Sequence, residues 1–337
     1  MKIAILSPVA WRTPPRHYGP WEQIAYNIAE GLIDKGMDVT LFATKDSITR
    51  SKLDAVIPSG YEEDKELDAK VVECLHVSNL MEKARSFDVI HNHFDFLPLT
   101  YSGLIATPII TTIHGFSSPK IIPVFKKYNK NGNSFYVSVS NADRSPELSY
   151  LATVYNGIDK KDFSFNNLPE DYLLFFGRIH PDKGVREAID IAINAKRKLI
   201  ISGIIQDQQY FAECIAPFIN NDDLVYAGVS GPEKRNELLG NAYALLHPIN
   251  FNEPFGLSVA EAMMCGTPVI AFNKGSMSEL IVDGKTGFLV TTIPEAVEKI
   301  NYIKQITRSY CRQWAENKFS KERMVDDYLN VYKRLLQ

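Results

Sequence analysis

The chain has only four cysteines in 337 residues, Cys74, Cys214, Cys265 and Cys311, and no two of them form Cys-x-x-C. Zinc sites and dithiol redox centres need close-set thiols, so scattered, buried, reduced thiols are expected instead. Gly-x-Gly is absent from the whole chain. That removes the dinucleotide fingerprint and argues against a nicotinamide oxidoreductase. No apolar run approaches the roughly 20 residues of a membrane span. The opening run MKIAILSP is too short for the core of a secretory leader. A soluble cytoplasmic protein is expected, with contact at a membrane surface left open. Charge of one sign is also lacking: the formal net charge is −3, so no basic field marks a nucleic-acid partner.

What is present is an average globular composition, 45% hydrophobic and 23% charged. Lys2 to Val9 is a β-rich apolar run, followed by turn chemistry over residues 11–20 (WRTPPRHYGP). Ile24, Ile28, Leu32 and Ile33 then recur at helical spacing, with Pro20 suited to the first helical position and Gly36 to the stop. Val39 to Ala43 is the next strand, which completes a βαβ unit with parallel strands. Further strands are expected at Asp88–His91, Pro108–Ile113, Ser134–Ser140 and Thr153–Tyr155. A second series starts at Tyr172–Phe176 and continues through Lys198–Ser202, Leu224–Ala227, Ala244–His247, Pro268–Phe272 and Gly287–Val290. Helices are expected between most of these, including Val185–Ala195 and Ser258–Cys265, and Lys321–Leu335 closes the chain. Strand and helix alternate throughout, which predicts two doubly wound α/β domains with a break near Asn156–Asp159. Ligands of such sheets bind at the carboxyl ends of the strands, here in a central cleft.

Two segments carry candidate chemistry. In the first, Glu253-Pro-Phe255-Gly256-Leu257-Ser258-Val-Ala-Glu261, one glutamate sits in a loop after a strand and the other about one turn into a helix starting near Leu257. The helix start offers free N–H groups and a positive dipole end, which suits a phosphate. Gly256 permits close backbone approach. Glu261 is able to accept two hydrogen bonds from a ribose diol, and Glu253 to reach sugar hydroxyls. Glutamates are also ordinary surface residues. The second segment, Gly177-Arg178-Ile-His-Pro-Asp-Lys183-Gly184, leaves a strand and enters a helix. Arg178 and Lys183 there supply a forked and a compact positive charge for phosphate oxygens. Two solvated surface cations are the plainer alternative.

Together these motifs resemble family 4 of the retaining glycosyltransferases, which have the GT-B fold. The resemblance runs nearly end to end: His114-Gly115 after the strand 109–113, Val139-Ser140-Asn141, Tyr155–Asp159 and Phe319-Ser320 also take part. Tyr18-Gly19 and the Val-Thr-Leu-Phe-Ala strand look most like a branch that includes bacterial antibiotic and pteridine glucosyltransferases. The resemblance implies an acceptor-side domain over residues 1–157, with the final helix, about 320–337, packing back on it. It implies a nucleotide-sugar domain over 158–319. Arg178 and Lys183, with Gly177, would hold the diphosphate, Glu261 the ribose, and Glu253 and His114 the donor sugar. Amides of Phe255 to Ser258 would meet phosphate or sugar, and Gly19 would let the first loop approach the diphosphate. Pro20 departs from a frequent second glycine there, removing one N–H. Arg12, Arg16, His17 and Tyr18 lengthen this loop, either to bind acceptor or phosphate or as a solvated excursion.

The implied reaction moves a hexose from a nucleotide diphosphate sugar, UDP-sugar first and GDP-sugar second, to a hydroxyl of a sugar or other small acceptor. The anomeric configuration is retained. No cofactor is expected and no metal: Asp-x-Asp, the pair used by metal-dependent single-domain glycosyltransferases, does not occur. His91, His93 and Asp95 (HNHFDF) are the one metal-like group and lack a supporting cluster. A sugar epimerase or phosphorylase on the same scaffold, or a non-catalytic nucleotide-sugar binder, are the competing readings. Base, acceptor and oligomeric state are not encoded in spacing.

Overall fold

A computed structural model describes residues 1–116, 119–129 and 132–337. The chain divides into two compact units, Met1–Gly157 with Lys321–Gln337, and Ile158–Ser320. Each is built on one parallel sheet.

The first unit contains β1 (Lys2–Leu6), β2 (Asp38–Phe42), β3 (Lys52–Asp54), β4 (Val89–Asn92), β5 (Ile109–Ile113), β6 (Ser134–Ser138) and β7 (Ala152–Thr153), in the spatial order β3-β2-β1-β4-β5-β6-β7. Every pairing is parallel. The inner strands β4 and β5 are buried at every position, as a sheet covered on both faces requires. The helix Pro20–Asp34 makes the first crossover, with proline at its first turn. The closing helix Lys321–Leu335 lies against it. Gly31 is what allows the approach, since a Cβ there would run into the Val325 side chain. Tyr328 and Tyr332 of the closing helix are fully buried. Their hydroxyls bond Thr112 Oγ1 and His91 Nδ1, each at 2.6 Å, tying the chain end to β5 and β4.

The second unit contains β8 (Tyr172–Phe176), β9 (Lys198–Ser202), β10 (Leu224–Tyr226), β11 (Ala244–His247), β12 (Val269–Phe272) and β13 (Gly287–Val290), in the order β10-β9-β8-β11-β12-β13. Its pairings are also all parallel. The doubly wound α/β reading therefore holds in both units. The differences are at edges. β7 ends at Thr153 where a strand to Tyr155 was expected, and β3 was not foreseen, because its residues are exposed or half-buried and carry no apolar run. The expectation of buried thiols holds for Cys265 and Cys311 but not for Cys74, which is exposed on the helix Ala69–Glu82, nor for half-buried Cys214. Among the described residues, no helix is long and apolar enough to cross a membrane.

Candidate active site

In the second unit the strand order reverses between β8 and β11, so the crossovers on either side diverge and leave the carboxyl ends of these two strands accessible. Both candidate motifs begin there. β8 runs into Gly177 and Arg178 and then a single turn, Pro181–Lys183. The loop after β11 is sewn onto that turn: the Asn250 amide donates to Asp182 O at 2.7 Å, and its side chain to Pro181 O at 3.3 Å. Gly184, at φ 73°, lies so close to Pro248 that a Cβ would overlap its carbonyl.

These constraints bring Lys183 to Glu253. Nζ donates to Oε2 at 2.5 Å, and the two side chains are only 14% and 11% exposed. The ammonium also sits 4.7 Å from the centre of the Phe251 ring. His247, the last residue of β11, places Nε2 3.6 Å from the same carboxylate oxygen. Burial by itself pushes the Glu253 carboxyl up, but His247 and the Lys183 ammonium outweigh it and hold the group at about 2. Burial draws His247 below its ordinary value, against the pull of Glu253. The cluster at neutral pH is thus a carboxylate, an ammonium facing it, and a buried imidazole.

Glu253 is itself held by its backbone. Gly275, at φ 58°, packs on its peptide, and Ser276 donates its amide to Glu253 O at 3.0 Å and its hydroxyl to Phe255 O at 2.7 Å. Three residues after Glu253, Gly256, at φ 89°, starts the helix Leu257–Met264 with no side-chain cap. Val259 and Ala260 donate to Gly256 O, which leaves the Leu257 and Ser258 amides without an intrahelical acceptor. The Phe255 ring is buried edge-on against Phe319. Glu261 is buried one turn along. Burial raises its carboxyl, and Arg235 opposes the shift from 3.4 Å.

Arg178 and Lys183 leave the same strand end, but the Arg178 guanidinium is engaged by the Gln206 side chain. Gly177 is part of a tight crossing, with Gly203 laid on its carbonyl and its own amide donating to Ser202 O at 3.0 Å.

Gly19 and His114 belong to the first unit, which reverses its strand order between β1 and β4. Gly19, at φ 151°, precedes Pro20, and a Cβ on it would press on Pro15 and the Glu22 carboxylate. In the loop, Arg16 and His17 are exposed while Arg12 and Tyr18 are half-buried, and Arg16 pairs at the surface with Glu63 at 2.5 Å and Asp46 at 3.3 Å. His114 stacks on Trp21 with ring centres 5.4 Å apart, and its Nε2 is 2.9 Å from His93 Nδ1. His93 in turn lies 4.1 Å, ring to ring, from His91. Burial drives all three imidazoles down, His91 and His114 to about 3, so each is neutral at physiological pH. Among the described residues no group of three His, Cys, Asp or Glu is placed to hold a metal ion.

Three neighbours were not picked out from sequence: His247, Trp21 and Arg235. His247 left a signal, as the one polar residue ending the apolar run ALLH at a strand's carboxyl end. Arg235 left none.

Residues 158–321 match the family described as glycosyl transferases group 1. The matched stretch spans the second unit, which is thus similar to the group 1 glycosyltransferases. An uncharacterised glycosyltransferase of Methanocaldococcus jannaschii is 25% identical over 76% of this chain and 78% of its own. A glycosyltransferase involved in avilamycin A biosynthesis has the same fold, with a TM-score of 0.73, 23% identity, and coverage of 100% of this chain and 98% of its own. The Anabaena protein HepE, solved in complex with UDP-glucose, matches with a TM-score of 0.73 at 19% identity over 99% of this chain and 100% of its own.

Proposed function

We propose that this protein is a glycosyltransferase that moves a hexose from a nucleotide diphosphate sugar to a hydroxyl acceptor, with retention and without a metal. UDP-sugar is the first choice of donor and GDP-sugar the second. The observation that carries the reading is the Lys183–Glu253–His247 cluster beside the open helix start Gly256–Ser258. A departing diphosphate needs positive charge and N–H donors placed before the reaction, in a site of low polarity. Lys183 and the Leu257 and Ser258 amides supply both, and Arg178 adds a second cation once it leaves Gln206. Glu253 positions Lys183 and the donor sugar, and Glu261 takes the ribose. Gly19 and His114 are assigned the diphosphate and the sugar by resemblance. No base is required if the leaving phosphate accepts the acceptor's proton.

Binding of HepE to UDP-glucose supports trying UDP-sugars first. A melting-temperature panel of UDP, GDP, ADP and their sugars identifies the donor, because a ligand of the folded state raises the transition. The anomeric configuration of the first-formed product, followed by NMR with chelator present, then decides the mechanism. An inverted product, or turnover abolished by chelator and restored by a divalent ion, overturns the proposal. Release of an altered free sugar without acceptor would identify an epimerase instead.

A further inference from the structure

Arg235 sits on the helix Pro232–Asn241, 26 residues before its contact, and its NH1 lies 3.4 Å from Glu261 Oε1. The guanidinium carbon lies 4.9 Å from the centre of the Phe163 ring, a cation–π contact that holds the side chain in place. Both side chains are largely withdrawn from water, at 22% and 11% exposure. The Arg235 Nε is fully buried and, among the described residues, donates to no protein acceptor.

A carboxylate receives both hydroxyls of a diol only when it is ionised and held in one rotamer, because a protonated carboxyl turns one of its oxygens into a donor. Glu261 is poorly placed to stay ionised by itself: it is buried, and Asp162 and the Cys265 thiol face it as well as Arg235. Arg235 is the cation that answers this. By engaging Oε1 from one side it fixes the carboxylate plane and leaves Oε2 for a ligand.

We propose that Arg235 is the positioning residue of the nucleoside pocket, holding Glu261 as an oriented acceptor of the ribose hydroxyls and so setting the preference for ribose over 2′-deoxyribose. The inference rests on the reading of Glu261 as the ribose contact. Phe163 supports the arrangement through its cation–π contact with the guanidinium.

The test uses the full chain and whichever of UDP, GDP or ADP raises its melting temperature most, compared with the 2′-deoxy form of the same nucleotide by calorimetry. Wild type is expected to prefer the ribonucleotide by about ten-fold, the scale of one charge-assisted hydrogen bond. R235L and R235Q should bring the ratio close to one while inorganic pyrophosphate binds as before, and R235K should recover part of it. Having both neutral variants guards against one failing to fold. A neutral variant that keeps the wild-type ratio overturns the proposal. E261A separates the two layers: if it loses the preference while R235L and R235Q retain it, only the role of Arg235 fails. If E261A keeps the preference, or none of the three nucleotides binds, the ribose assignment fails and this inference with it.

Discussion

Lys183 and Glu253, 70 residues apart in sequence, meet as a nearly buried ion pair at the point where the second sheet reverses its strand order. Neither residue reaches the other through secondary structure of its own. One rides on a single turn after β8 and the other on the loop after β11, and the two loops are joined by Asn250 and by the close approach of Gly184 to Pro248. If the donor diphosphate binds here as proposed, it would compete with Glu253 for the same ammonium. The pair keeps that cation withdrawn from water and oriented, so binding would exchange one partner for the other.

Replacing Lys183 tests this directly. K183A should lower kcat/KM by about 10² to 10³, the usual effect of deleting one preorganised donor at a developing negative charge. It should also destabilise the second unit by about 3 kcal/mol, because Glu253 is left buried without its cation. K183A, E253A double variants should regain part of the stability and none of the activity. Steady-state kinetics and urea unfolding on the same preparations separate the two effects, and turnover near wild type in K183A sinks the assignment.

The same cluster predicts acid sensitivity. The Glu253 carboxyl is near 2 in the folded protein against about 4.3 in an unfolded chain. A group depressed by folding contributes stability that is complete above its unfolded value and disappears as pH falls through its folded one. His247, also drawn down, acts in the same direction from its unfolded value of about 6.5. The melting temperature should therefore fall steadily from about pH 6 to pH 3. In K183A the part of that fall due to Glu253 should shrink, since its folded value rises toward the unfolded one. An unchanged slope would show that the ammonium does not set the carboxyl.

The doubly wound architecture was legible because strands covered on both faces are unbroken apolar runs, such as Tyr172–Phe176 and Val269–Phe272, separated by stretches of helical period. The edge strand Lys52–Asp54 was not, since exposed ends of a sheet carry no such run. The site was legible as two motifs and not as an arrangement. Nothing local in Gly177–Gly184 encodes a bond from Asn250, and nothing in the segment PEKRNE distinguishes Arg235 from a solvent-facing helix residue. Contacts across a strand reversal depend on the whole sheet, so they became visible only with it. The Trp21–His114 stack and the linked His93 were hidden for the same reason.

Gly184 should be more sensitive than its lack of a side chain suggests. It holds φ 73°, and an added Cβ would overlap the Pro248 carbonyl. G184A has to open the seam between the two loops, which moves Lys183 off Glu253. Activity should fall at least ten-fold, with a stability loss of about 2 kcal/mol from strain and lost contact. G36A is the control, because Gly36 also has positive φ, at 76°, yet meets nothing within 4 Å. It should cost stability of the order of 1 kcal/mol and leave the kinetics of transfer unaltered.

Glu22 offers a prediction of opposite sign in the first unit. It is 3% exposed beneath the Gly19 loop, and burial pushes its carboxyl up to about 7, partly offset by bonds from its own amide and that of Trp11. Folding thus takes up a proton between about pH 4.3 and 7. The contribution is complete below the lower value and lost as pH rises through the upper one. Glutamine mimics the protonated form and keeps an acceptor for the Trp11 amide, whose distance to Glu22 Oε1 is 3.3 Å. E22Q should therefore match wild type near pH 4 and melt at a higher temperature at pH 8. The gap should grow from about pH 4.3 to about pH 7 and level off above that, and calorimetric scans at half-unit steps would locate it. A gap of constant size at every pH would mean that the carboxyl is ionised throughout and that the loop is held by something other than its proton.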